Sequence, residues 1–484
     1  MEKTQRKDEM LKLFNTFSGN IEEFKPLTAP IVTFYVCGPT VYDYAHIGHS
    51  RTYIFNDILR RVLLLNNFQV KSVMNITDVG HLASDSDSGE DKMEKGAKRE
   101  GKSVWEIARF FTKDFFRMTE KLSIGKFGTI LKATDCIDQM INLIKTLETN
   151  GYTYRIDDGI YFDTEKFQDY GKLTKQSFTK LSKTLKGGSR VELVKGKKNI
   201  TDFALWKFTP DGEKRQMEWD SPWGRGFPGW HIECSAMSIK GLGETLDIHT
   251  GGVDHIPIHH TNEIAQSEAA TGKKFVRYWL HAEHLLIDGE KMSKSLGNYI
   301  RLDDLEKKGY DPLSLRYLFL TASYRFQLNF TYQNLDAAQK AYQKLKQYVA
   351  KSRSELDELG KSNMTDLQKA ELKGYKEKFI NSVNDDLNTA QALALVWEVV
   401  KSSLAESAKY ELILFFDKIL GLSLNKAGEG REHIPADVAE LVKKRSFFRE
   451  KKMFEKADKI REKIEKKGFI MEDLSSGPVV RKIS

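Results

Sequence analysis

The sequence predicts an α/β protein: a parallel sheet of the nucleotide-binding type with a small insertion, then a helical bundle, then a small C-terminal α+β module. Three observations carry this. A β-branched run, Ile31 to Cys37, leads into a helix-period stretch from His49 to Asn67 and a second strand-like run, Gln69 to Thr77, and strand, helix, strand in so short a span opens a parallel sheet. Beyond Asp311 the pattern turns helical, and the chain ends in a basic helical segment, Gly468 and two short strand-like runs around SSGP.

The chain has 484 residues, 40% hydrophobic and 30% charged, enough for several domains and typical of a globular rather than a disordered protein. Its start, MEKTQRKDEMLKLF, has charges on both sides of its few apolar residues. No apolar run reaches the roughly 18 residues that a membrane span requires. A cytoplasmic protein with no membrane partner is therefore expected. The cysteines, Cys37, Cys136 and Cys234, include no CxxC pair, which argues against a disulfide framework.

In the helix-period stretch, Phe55, Ile58, Leu59, Val62 and Leu63 recur at spacings of three and four. The polar stretch Ala83 to Gly101, with its SDSDSGED core, reads as a surface loop. From Asp157 to Thr209, β-like pieces such as GIYFD alternate with Lys- and Gly-rich turns, the pattern of an inserted module. LSLRYLFL, LDAAQKAYQKLKQYVAK and LNTAQALALVWEVV then read as helices, and LNKAGEGREHIP as a linker. In the tail, Ile434, Val438, Leu441, Val442 and Phe448 are spaced for one helix, and Phe454, Ala457, Ile460 and Ile464 for another.

Charge is concentrated in that tail. Lys443 to Lys467 holds 12 Lys and Arg against 5 Asp and Glu, leaving 64 basic and 63 acidic residues elsewhere. A solvated helix face and a polyanion-binding surface both explain such a run.

Two motifs carry chemistry. His46-Ile47-Gly48-His49 stands where the first strand turns into its helix. The N–H groups at a helix start attract phosphate oxygens, Gly48 leaves room for a flat base, and two histidines one turn apart can donate to a phosphate gaining charge. Leu285 to Asn298 reads LLIDGEKMSKSLGN, a strand running into a loop whose Lys291 and Lys294 suit a leaving pyrophosphate.

HIGH and KMSKS in this order resemble the class I aminoacyl-tRNA synthetases, and among them the cysteinyl-tRNA synthetases, over nearly the whole chain. The likeness includes CGPTVYD from Cys37, NITD at Asn75 to Asp78, GWHIECSAMS at Gly229 to Ser238 and HHTNE at His259 to Glu263. It implies a Rossmann-type catalytic domain in two halves, 1–135 and 211–300, around a connective insertion at 136–210. A stem-contact region at 301–345, a helical tRNA-binding bundle at 346–425 and an anticodon-binding module at 432–484 would follow.

The resemblance assigns zinc to Cys37, Cys234, His259 and Glu263, a donor set that suits four-coordinate Zn²⁺; His260, beside His259, is the alternative ligand. It implies ATP binding, with magnesium, by Thr40, His46, Gly48, His49, Lys291 and Lys294, with the two histidines and two lysines as the catalytic groups. Thr77, Trp230 and His249 would surround the bound cysteine. The implied activity is attack of the cysteine carboxylate on ATP, release of pyrophosphate, and transfer of cysteine to tRNA(Cys) by a monomeric enzyme. Shape alone discriminates groups as similar as cysteine and serine by only about 1–3 kcal/mol. Zinc reads the thiolate by coordination instead, and the interval between the two motifs leaves no room for a large editing domain.

The chain departs from the family pattern at Thr250, His255, Ile258 and Thr261 and in the stretch Val79 to Gly89, whose His81, Asp85 and Asp87 read either as a solvated loop or as a second metal site. Three other identities compete: the cysteine ligase of mycothiol synthesis, which lacks the long C-terminal part present here; a small HxGH nucleotidyltransferase, which would have neither this length nor the second lysine motif; and a non-enzymatic RNA-binding relative, which intact HIGH, KMSKS and zinc positions oppose.

Overall fold

Five parallel strands form the central sheet of the computed structural model, which describes residues 10–482 except 81–90, 179, 182, 184–194, 211, 213, 294–295, 360–363, 429–434, 452 and 475–476. Across the sheet the order is Val276–Ala282, Leu246–Gly252, Ile31–Val36, Gln69–Ile76 and Thr129–Lys132, every neighbouring pair parallel. Val32, Phe34, Tyr35 and Val36 are all buried, as expected of a strand covered on both faces. The strand order reverses beside Ile31–Val36. A crevice beyond the carboxyl ends of the strands at such a reversal is where open α/β sheets bind ligands. Cys37, Thr77 and Gly251 all stand at those ends.

The expected helix is present as Ile47–Leu65. Helices Ile137–Thr149, Trp230–Leu242 and His259–Thr271 supply Ile144, Leu147, Ile232, Met237 and Ile264 to a core shared with Tyr35, Val73 and Trp279 of the sheet. The insertion expected at 136–210 therefore begins with a helix of the main core. Its antiparallel sheet of Thr153–Ile156, Gly159–Phe162, Phe203–Phe208 and Gly226–Pro228 continues past residue 210.

A buried ion pair fastens Ile47–Leu65 to the later helices. Asp57 Oδ2 lies 2.6 Å from Arg316 of helix Pro312–Leu320 and 2.7 Å from Arg61. Arg316 also donates to the Leu420 and Leu122 carbonyls, at 2.7 and 3.0 Å. Burial pushes the Asp57 carboxyl up, but Arg316, Arg61 and the Gly125 N–H outweigh it and hold the pKa below its ordinary value.

The chain divides into two compact units, residues 1–344 with 361–423, and 345–360 with 424–484. The first also contains helices Asp366–Asn384, Thr389–Lys401 and Glu406–Leu420, where Phe379 and Phe416 stack with ring centroids 4.1 Å apart. In the second, helices Ala436–Glu450 and Phe454–Glu465 pack on the antiparallel hairpin of Phe469–Leu474 and Gly477–Lys482. Val438, Ile460, Ile464, Phe469 and Met471 form its core, and Gly468, at φ 84°, makes the turn from helix to hairpin. Phe454 belongs to the surface instead: it opens its helix and is 58% exposed. Ile434 lies outside the described residues, as do His81, Asp85 and Asp87. Among the described residues, no helix is long and apolar enough to cross a membrane.

Candidate active site

A cleft of about 490 Å³ opens over the carboxyl ends of the strands, walled by Cys37 to His46, His49, Asn75, Thr77, Trp230, Cys234, Gly251, His255, Met292, Ser293 and Tyr299, among others. Its floor depends on a close approach of two strands. A Cβ at Gly38 would stand 1.7 Å from the Asn75 carbonyl oxygen, so no side chain fits there. Asn75 Oδ1 accepts from the Gly38 N–H at 2.7 Å, and its Nδ2 donates to Thr77 Oγ1 at 3.0 Å. Thr77 in turn donates to Glu233 at 3.2 Å. Asn75, at a matched motif position but given no role by sequence, thus ties the turn after Cys37 to Thr77.

The start of helix Ile47–Leu65 is closed in a way the sequence did not suggest. His46 Nδ1 accepts from the N–H groups of Gly48 and His49, and His49 Nδ1 accepts from the His46 N–H at 3.2 Å. The Ile47 N–H goes to the Ile300 carbonyl at 3.0 Å. The backbone donors expected to meet phosphate therefore already have partners, which corrects that expectation. The correction yields a better-defined pair of donors. Because both Nδ1 atoms accept, both rings carry their proton on Nε2, and the rings stack at 3.7 Å along the cleft wall. His49 opens on the cleft, where solvent moderates the effect, yet its surroundings lower its pKa to about 4, with burial the largest cause. Gly48 is needed beneath the rings, since a Cβ there would lie 2.8 Å from His46 Cε1.

The KMSKS segment reaches the same cleft. Met292 and Ser293 line it, and Lys291 ends the exposed strand Glu290–Lys291. Lys294 lies outside the described residues. Asn298 clamps the loop, accepting from the Ser293 N–H at 2.7 Å and donating to the Lys291 carbonyl at 3.2 Å. Tyr299 donates to the Tyr44 carbonyl and sets its ring edge against His46 at 5.1 Å. Arg51, buried just after the histidine motif, donates to the carbonyls of Glu283 and His284 at 2.9 and 2.7 Å. Direct bonds thus join the histidine motif and its neighbours to the flanks of the KMSKS segment. Sequence reasoning passed over Asn298, although it stands in the motif, and Tyr299 and Arg51, which have no spacing signal.

Beside the cleft, Cys37, Cys234 and His259 bring their donor atoms within 4.8 Å of one another, all three buried. Glu263 Oε1 lies 3.0 Å from His259 Nε2, one helical turn along, but among the described residues neither atom has a hydrogen-bond partner. Two lone-pair atoms facing one point beside two thiols fit a metal ion better than they fit each other. The outer contacts agree. His259 Nδ1 meets His231 Nδ1 at 3.0 Å, and Glu263 Oε2 meets His249 Nε2 at 2.9 Å, the kind of support that orients metal ligands. Without an ion, contact with Cys37, then burial, raises the Cys234 pKa. Burial opposes charge on His259, but Cys234 and Glu263 outweigh it and favour positive charge at this point, which a metal ion supplies.

The three cysteine-pocket candidates are placed differently. Thr77 and Trp230 line the cleft, and the Trp230 ring lies 4.3 Å from that of His259. His249 is fully buried behind Glu263, stacked on Trp279 at 4.5 Å. Thr40 lines the cleft and pairs with Thr77.

Residues 23–340 match the model of the class I tRNA synthetase (C) catalytic domain, and residues 378–424 match the DALR domain. The chain is 47% identical to "Cysteine--tRNA ligase 1" of Burkholderia lata over 96% of each chain. It is 43% identical to "Cysteine--tRNA ligase" of Treponema denticola over 98% of this chain and 100% of that one. A Mycobacterium tuberculosis methionyl-tRNA synthetase in complex with methionyl-adenylate shares the fold, at 16% identity and TM-score 0.56, over 83% of this chain and 92% of its own. Full-length similarity and a catalytic-domain match covering most of the sequence lead to one conclusion: the chain belongs to the class I tRNA synthetases, in the family of the cysteine–tRNA ligases.

Proposed function

We propose that this protein is a cysteine–tRNA ligase that activates L-cysteine with ATP and transfers it to the 3′ end of tRNA(Cys). The observation that carries the reading is a single cleft lined both by the paired His46 and His49 and by Cys37, Cys234 and Trp230. Cysteine lies with its side chain toward the thiol wall and its carboxylate toward the histidines. The carboxylate oxygen attacks the α-phosphorus of ATP, and the bond to the bridging oxygen breaks as pyrophosphate leaves. His46 and His49 donate from Nε2 to phosphate oxygens, and Lys291 and Lys294 neutralise the departing pyrophosphate. No side chain becomes covalently attached, so positioning and electrostatics supply the acceleration. The terminal ribose hydroxyl of tRNA then attacks the cysteinyl carbonyl and releases AMP.

Cys37, Cys234, His259 and Glu263 would hold zinc, which when bound supplies thiolate recognition that a serine hydroxyl cannot match. Thr77 and Trp230 shape the pocket, and His249 holds Glu263 in place. ATP enters with magnesium, and the enzyme works as a cytoplasmic monomer. Cysteine-dependent exchange of pyrophosphate into ATP, followed by charging of total tRNA, tests the reading. Exchange without charging would remove tRNA from it, and absence of both would refute it.

A further inference from the structure

Cys37 belongs to a second group of metal-ligating side chains. Its Sγ, His255 and His260 place donor atoms within 4.8 Å of one another. His260 is fully buried, and among the described residues its Nε2 has no hydrogen-bond partner, Glu263 Oε1 standing 3.8 Å away. Its Nδ1 meets His281 Nε2 at 2.7 Å, and His281 Nδ1 meets Thr16 Oγ1 at 2.8 Å. With protons running outward along that relay, from His260 to His281 and from His281 to Thr16, the Nε2 lone pair of His260 faces inward. This is the second-sphere arrangement that prepares an imidazole for a metal.

Gly251 shows where the lone pair points. A Cβ built there would lie 2.8 Å from His255 Nδ1 and 3.0 Å from His260 Nε2. The two nitrogens therefore converge on a space that a side chain at 251 would fill, and Gly251, Cys37 and His255 all border the cleft.

We propose that Cys37, His255 and His260 form a second site for a thiophilic divalent ion of the zinc class. It builds on the metal centre proposed above, since the Cys37 thiolate serves both. One sulfur and two imidazole nitrogens complete three positions of a tetrahedral zinc-type site. The fourth faces the cleft and is open to water or to the substrate thiol. Bridging thiolate also lowers the repulsion between two neighbouring cations, because its negative charge lies between them.

The full-length protein, as purified, is assayed for zinc and then titrated with Co²⁺, following thiolate-to-cobalt charge transfer. The expected result is one ion held on purification, further uptake of one Co²⁺ with a new charge-transfer band, and loss of that band in His255→Leu. His255 sits on the partly exposed turn Val253–His255, so this change leaves the core in place. Cys234→Ser, in contrast, loses the ion held on purification. A wild type that takes up no Co²⁺, or takes it up equally in His255→Leu, overturns the second site while leaving the first to be judged by Cys234→Ser. Loss of the purified ion in His255→Leu also overturns it, since His255 would then serve a single centre.

Discussion

His46 and His49 show why side chains within one motif do unlike work. Their reciprocal caps close the helix start and, with each Nδ1 accepting, leave Nε2 of both imidazoles as the donor toward the cleft. Desolvation in the surroundings of His49 favours its neutral form, the form in which Nε2 donates while Nδ1 holds the cap. The role proposed for Lys294 is at the pyrophosphate end. Lys294→Ala should slow single-turnover adenylate formation by about 10²-fold or more while leaving cysteine affinity little changed, because the interaction strengthens only in the transition state. Unchanged activation would remove Lys294 from the mechanism. Cys234→Ser should release most of the bound zinc and weaken cysteine activation with it. Elemental analysis beside pyrophosphate exchange measures both, and a metal-free protein with full activity would contradict the zinc reading.

The helix Ile47–Leu65 is the element on which the site depends. Its start carries the histidines, and Asp57 in its middle is locked to Arg316 and Arg61. Asp57→Asn leaves Arg316 buried without its counter-ion and should cost about 3–5 kcal/mol at about pH 7. The sign with pH is fixed: a carboxyl held below its unfolded pKa stabilises above that value and loses its contribution as pH falls through the folded one. The stability gap between wild type and Asp57→Asn, measured by denaturant unfolding, should therefore narrow on acidification. This helix was legible from Phe55, Ile58, Leu59, Val62 and Leu63 because one face is apolar at a regular period. His259–Thr271 was found only through its motif. His260, Thr261, Asn262, Gln266 and Ser267 are all buried in it, so polarity does not alternate between a wet and a dry face. The Asp57–Arg316 pair was equally hidden, since its members are far apart in sequence and each reads locally as a surface charge.

At the scale of the whole molecule, chemistry and the basic tail fall in separate compact units. Lys443, Lys444, Lys456 and Lys459 are exposed or partly so, whereas Arg445 is buried, so the formal charge of the run overstates what a polyanion meets. Phe447 and Phe454, 53% and 58% exposed, stand among these lysines, an interleaving suited to RNA. Replacing the four lysines with Gln should weaken tRNA binding and flatten its salt dependence, by up to about 0.9 in log–log slope for each phosphate that is no longer neutralised. Pyrophosphate exchange should be unaffected; an unchanged salt slope would make the run a solvated surface only. The proposed function requires that the cleft activate cysteine and recognise it through a metal held by Cys37, Cys234, His259 and Glu263. Both requirements meet in pyrophosphate exchange by the purified protein with cysteine or serine, before and after metal removal by a chelator and after zinc is restored. Exchange with cysteine, almost none with serine, loss on chelation and recovery with zinc are expected; equal exchange with both amino acids, or full activity in the metal-free protein, would refute metal-read cysteine activation.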